Sequence, residues 1–224
     1  TGTRAYTTDF ADSVQLHDRS EHSDLATTAS GEDVLVYTAY DGEDAGFVNM
    51  VALDDGEVTP LFPLYGDNHS LSAFHISGTA RDRPGYVVVS SYGCREDYGN
   101  APCDPNTQWF YDKVFMVELA ASPTIYNLAH SHYGPVPYWG QTQAVANHDL
   151  TRVLFVSSWE SDGEDDIAGC VIRVPDCAPL ARDSRRFGTT ELREHGPRGG
   201  MVETEFLQDL AQPRARAEQA ALHG

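Results

Sequence analysis

The sequence predicts an all-β chain of β-propeller type, incomplete, with about three four-stranded blades and a short, partly helical C-terminal tail. Three observations carry that reading. β-Rich strings recur: DVLVY at 33–37, YVVVSSY at 86–92 and RVLFVSS at 152–158. Each is followed by a loop and a second such string: FVNMVAL at 47–53, KVFMVEL at 113–119 and GCVIRVP at 169–175. A polar residue precedes each first string at a constant offset of 12 residues: His22 before Val34, His75 before Val87, Gln141 before Val153.

The elements follow in chain order. Segment 1–20 reads as the end of a preceding blade, with SVQLH as its outer strand. The first full unit then runs from a short inner strand after His22, through the turn TASGED, into the long strand, the third strand and the outer piece VTPLFPLY at 58–65. The second repeats this order with the turn ARDRPG and the outer piece TIYNLAH at 124–130, and the third begins across the turn NHDLT. β-Branched and aromatic side chains suit a pleated, half-buried surface, and Gly, Asp, Asn and Pro bound each run. The units are spaced 53 residues apart (His22 to His75) and then 66 (His75 to Gln141). The longer step holds the Cys94–Cys103 insertion. A β-sandwich also has short strands and frequent turns, but the repeated register and strand order favour blades. Residues 1–181 are therefore assigned to the blades and 182–224 to a tail. The tail is poorly ordered or partly helical: Met201–Ala211 reads as a short helix and Pro213 interrupts it. Propellers close with four to eight blades. Three blades leave an open edge and an apolar face, so the missing blades or a second copy of the chain are expected to complete the structure.

The charge of the 224-residue chain is 15 − 34 = −19, and Lys113 is its single lysine. The tail is neutral, with seven basic and seven acidic residues, so the whole excess lies in 1–181. Such acidity repels nucleic-acid backbones and anionic lipid surfaces, and no apolar run is long enough to span a bilayer. Two readings fit acidity with little lysine: a halophilic or marine setting, where salt screens self-repulsion, and a coding bias toward arginine. The four cysteines form two local pairs, Cys94 with Cys103 and Cys170 with Cys177. Their even number and polar surroundings suit disulfides in an exported protein. A zinc site of four thiolates is the alternative, although neither spacing is the short one that zinc favours. The chain starts at Thr1 without a leader-like segment, so any signal peptide has been removed or lies outside the sequence. The expected location is secreted, periplasmic or extracellular.

In a propeller the start of each inner strand lies at the mouth of the central channel, so His22, His75 and Gln141 are expected to converge there. A second cluster is AHSHYGPVPYWGQTQ at 129–143. His130 and His132 fall on one side of an extended strand. Tyr133, Tyr138, Trp139, Gln141 and Gln143 offer aromatic faces and hydrogen-bonding groups that suit a sugar. The HxH pair also suits a divalent metal (Ca²⁺, Mn²⁺ or Zn²⁺), with His69 as a loop candidate for a third ligand. The acidic loop ESDGEDD at 160–166 lacks the spacing of a calcium loop and reads as a solvated charge run. Signatures of Ser or Cys nucleophiles, of phosphate-binding loops and of zinc proteases are absent from the sequence.

The strings HISGTARDRPGYVVVSSYG, WFYDKVFMVEL, IYNLAHSHY and YWGQTQAVANHDLTRVLFVSSW together resemble the WD40/TolB-like blades of bacterial secreted propellers related to oligogalacturonate lyase and some ulvan lyases. The resemblance covers roughly residues 20–175. It implies β-elimination on uronic-acid polysaccharides or oligosaccharides, with His75 or His22 as base, Tyr138 as acid and Arg81 answering the uronate carboxylate. In those relatives a metal site would combine histidines with a glutamine just upstream of an HxH pair. Here the order is reversed, with His130 and His132 before Gln141 and Gln143 and only His148 after them. That departure weakens the metal-dependent form of the reaction. The same residues serve equally in a non-catalytic propeller that binds or scaffolds a glycan or protein.

Overall fold

The computed structural model describes residues 2–19, 21–65, 73–92, 109–133, 140–159, 161, 167–174, 190–195 and 201–206. They form an all-β, antiparallel structure, and no α-helix occurs among the described residues. A hairpin of β1 (Thr3–Tyr6) and β2 (Ser13–His17) comes first, and β2 is the strand expected at SVQLH. The first sheet has the order β3 (Ser23–Thr27), β4 (Asp33–Ala39), β5 (Phe47–Ala52), β6 (Val58–Pro63). The second repeats it with β7 (Phe74–Ser77), β8 (Tyr86–Ser91), β9 (Lys113–Glu118) and β10 (Ile125–His130). The third comprises β11 (Val145–Ala146), β12 (Arg152–Ser157), β13 (Ala168–Arg173), β14 (Thr190–His195) and β15 (Met201–Phe206). The sheets do not close into a circle.

Part of the expected tail thus pairs with the third sheet. The helix expected over Met201–Ala211 is replaced at Met201–Phe206 by a strand paired in register with β14. The alternation in MVETEF explains the difference: Val202, Thr204 and Phe206 share one parity, and period-two patterning with β-branched residues favours a strand.

Each sheet packs a face against its neighbour. Val34, Val36 and Val48 of the first sheet meet Val87, Val89, Phe115 and Val117 of the second. The opposite face of the second, Val88, Val114 and Met116, meets Val153, Phe155, Cys170 and Ile172 of the third. Leu35, Tyr37 and Val51, on the remaining face of the first sheet, cover Leu16 and Val14 of the hairpin. Val34 is therefore not the counterpart of Val87 that the constant 12-residue offset implies. The two belong to facing surfaces of one interface, and the parity of the first unit is shifted by one.

Polar side chains fix these joints. Gly78 N–H donates to Asp24 Oδ2 at 2.8 Å, tying β7 to β3. Thr79 Oγ1 donates to the Ala146 carbonyl at 2.6 Å, and Ala146 N–H donates to Ser77 Oγ at 3.3 Å, tying β7 to β11. Buried Ser90 Oγ donates to the Thr142 carbonyl at 2.7 Å and accepts from Ala144 N–H at 3.1 Å. It thereby holds the approach to β11.

Candidate functional site

In an antiparallel meander the start of the first strand, the end of the second, the start of the third and the end of the fourth share one end of the sheet. His22, just before β3, and His75, near the start of β7, stand at that shared end. The ladders place them equivalently. Thr38 N–H donates to the His22 carbonyl at 3.0 Å, and His75 pairs with Ser90.

The side chains converge. The His22 and His75 rings lie 5.0 Å apart, edge to face. His75 stacks on Tyr92 at 4.2 Å and 17°, and Tyr92 Oη lies 3.2 Å from His22 Nε2. Gln141 joins from the approach to β11, its Oε1 3.2 Å from His75 Nε2. An amide oxygen only accepts, so His75 Nε2 carries the proton and Nδ1 keeps its lone pair in the neutral ring. Burial, opposed by the Gln141 bond and reinforced by neighbouring His22, pulls the His75 pKa down to about 4. The ring is neutral at neutral pH. Beside it, burial and then Tyr92 push the Tyr40 phenol well above its ordinary range. The arrangement offers a neutral imidazole, a phenol paired with a second imidazole, and an amide. Such a set can move a proton and hydrogen-bond a polyhydroxylated ligand.

His130 and His132 form a separate group. His130 ends β10, three strand spacings or about 14 Å from β7. The two rings lie 6.0 Å apart, and His132 packs against Trp159, beyond the end of β12, at 4.3 Å and a 30° tilt. Lys113 Nζ lies 3.0 Å from His130 Nε2. An ammonium there occupies the lone pair a metal would need and repels a cation. Among the described residues no three His, Cys, Asp or Glu side chains are grouped to hold a metal ion. The divalent-metal expectation at His130 and His132 therefore has no geometric support in the described part of the chain.

The other expected site residues divide. Arg81 lies in the β7–β8 connection, at the opposite end of β7 from His75, and lines a cavity of about 330 Å³ with Asp24, Thr27, Asp33 and Tyr86. His75 is not among the residues that line this cavity. Gln143 is exposed and Tyr133 half-buried. His148 sits in the turn before β12, where its carbonyl accepts from Asp82 N–H at 2.9 Å. Cys170 is buried in the core between the second and third sheets. Tyr138, Trp139, His69, Cys94, Cys103 and Cys177 lie outside the described residues, as does the acidic loop except Ser161.

Tyr92, Tyr40 and Trp159 were not singled out from sequence, and Lys113 stood out only as the single lysine. A signal for three of them exists: each long strand ends in an aromatic, in VYTAY, VVSSY and FVSSW.

No family model, no curated protein and no solved structure matches the chain.

Proposed function

We propose that this chain belongs to an exported, propeller-type, carbohydrate-active protein that cleaves uronic-acid polysaccharides by β-elimination. One observation carries the reading: two histidines and a glutamine at repeat-related positions meet at one end of successive sheets, with Tyr92 stacked on His75 and its hydroxyl 3.2 Å from His22 Nε2. The propeller assignment draws on the strand order repeated in each sheet and on the contacts between the first strands, β3 with β7 and β7 with β11. β-Elimination needs a base for the proton beside the carboxylate and an acid for the departing oxygen. His75 Nδ1 in its neutral ring suits the first task. Tyr92, coupled to His22, suits the second in place of Tyr138.

A non-catalytic glycan-binding module is the second reading. The position of Arg81 favours it, because that residue lies in the connection at the opposite end of β7 from the His22–His75 cluster, away from where a uronate carboxylate would need it.

The deciding experiment incubates the protein with pectic, alginate and ulvan substrates, with and without added divalent cations. The ultraviolet absorbance of unsaturated products is followed. Product from at least one substrate, abolished in His75→Gln and Tyr92→Phe, is the expected result. Silence across all of them removes the lyase reading. Retained glycan binding in that event leaves the binding module.

A further inference from the structure

The geometry points to a second ligand site, at the outer rim of the second sheet, that holds the carboxylate of an acidic sugar through Lys113 and His130 and its ring against His132 and Trp159.

Lys113 is the only lysine among 224 residues in a chain with 34 acidic ones. It is half-buried, and its ammonium sits 3.0 Å from His130 Nε2. The carboxylate that acts on it is that of Asp112, its chain neighbour. A half-buried ammonium set against an imidazole is partly desolvated, which is costly, and an anionic ligand reduces that cost. The adjoining surface suits a sugar ring. The His132 and Trp159 rings lie 4.3 Å apart, tilted by 30°, and Trp159 is 42% exposed. Ser157 holds this plate across two sheets, its Oγ donating to the His132 carbonyl at 3.1 Å and accepting from Trp159 N–H at 2.9 Å.

Two further observations concentrate here. Of the five non-glycine residues with positive φ among the described residues, three are Asp112 (48°), His132 (48°) and Trp159 (50°). Non-glycine residues in this conformation cost energy and gather at ligand sites. Ser131, between the two histidines, is fully buried with an unpartnered Oγ.

The choice of sugar rests on the carbohydrate reading above, but the site is tested by binding alone. The probes are a defined galacturonate oligosaccharide and its methyl-esterified, uncharged form, titrated by calorimetry. The wild-type protein is expected to bind the acid form at least about tenfold more tightly, the worth of a charge-assisted hydrogen bond. Lys113→Gln is expected to erase that difference, Lys113→Arg to retain much of it, and Trp159→Ala to weaken both forms alike. A single lysine permits a second readout: amine acylation at Lys113, followed by peptide mass, should be blocked by the acid form and not by the ester. Equal affinity for the two forms, binding of neither, or unchanged discrimination in a folded Lys113→Gln variant would overturn the proposal. Failure of the lyase reading is distinct, because acid-selective binding without unsaturated product leaves this site standing.

Discussion

Gly78 should be among the least replaceable residues of the chain. A Cβ at this position would fall on the Leu25 carbonyl oxygen, 2.8 Å from the Leu25 carbonyl carbon and 3.0 Å from Ala26 Cβ. The obstruction is backbone of β3, so no side-chain rotation relieves it. Two costs add. Separating β7 from β3 is an overpacking penalty of roughly 1–3 kcal/mol. The same displacement lengthens the bond from Gly78 N–H to the Asp24 carboxylate, worth about 1.5–3 kcal/mol for a charged acceptor. Gly78→Ala should therefore lose about 3–5 kcal/mol, a large part of a typical folding stability, and about 10 °C in Tm. Gly169→Ala is the control: its Cβ would meet only Leu154 Cδ1, at an ordinary 3.9 Å, and should change stability by less than about 0.5 kcal/mol. Urea denaturation of both variants, with m-values compared, measures this. A Gly78→Ala variant within about 0.5 kcal/mol of the Gly169→Ala variant would refute the close β3–β7 approach. With it would go the joint that sets His75 against His22.

Other outcomes follow from the same geometry. His75 is neutral and buried, with its folded pKa near 4, below the ordinary 6.5. Between those values the unfolded chain binds a proton that the folded chain does not, so stability is full above about pH 6.5 and falls as pH drops toward 4. His75→Gln should flatten that part of the denaturation profile, and the His75 ring should titrate by NMR near 4. Ser90→Ala removes a hydroxyl that satisfies two backbone groups and should cost about 2–4 kcal/mol. By loosening the approach to β11 it should also change the His75 titration, through Gln141. Tyr92→Phe should leave stability within about 1 kcal/mol, yet lower any elimination rate by roughly a hundredfold or more.

The sheets were legible because β-branched runs bounded by Gly, Asp and Asn leave few alternatives. The meeting of His22, His75 and Gln141 was legible because repeated units place equivalent residues at one end. What escaped is what ladders and connections decide. Thr38 bonds to His22, 38 − 22 = 16 residues apart, whereas His75 pairs with Ser90, 90 − 75 = 15 apart. A one-residue difference in pairing reverses which face Val34 presents, and no count of string spacing reveals it. Arg81 looked close to His75 in sequence, but a strand of four residues was enough to carry it to the far end. Lys113 stood out by composition alone. Its meaning needed the cross-strand pairing of Lys113 with His130, which joins residues far apart in the chain.

The succession of faces makes one last demand. The second sheet presents Val88 to the third and buries it completely. Val153 and Phe155 of β12 face the second sheet, so alternation gives Leu154 the matching outward position on the third, yet Leu154 is 47% exposed and its cross-strand partner Val145 40%. If the order of packing explains burial, the same substitution must have opposite consequences at the two positions. Val88→Lys places an unpaired ammonium in a closed interface and should cost more than about 4 kcal/mol, enough to unfold many domains. Leu154→Lys keeps its charge in water and covers the strand with its alkyl stem, at a cost below about 1 kcal/mol. Denaturation of the two variants side by side decides the matter. Comparable losses would mean that the Leu154 face is as tightly packed as the Val88 face, and that the third sheet is not the open end of the series.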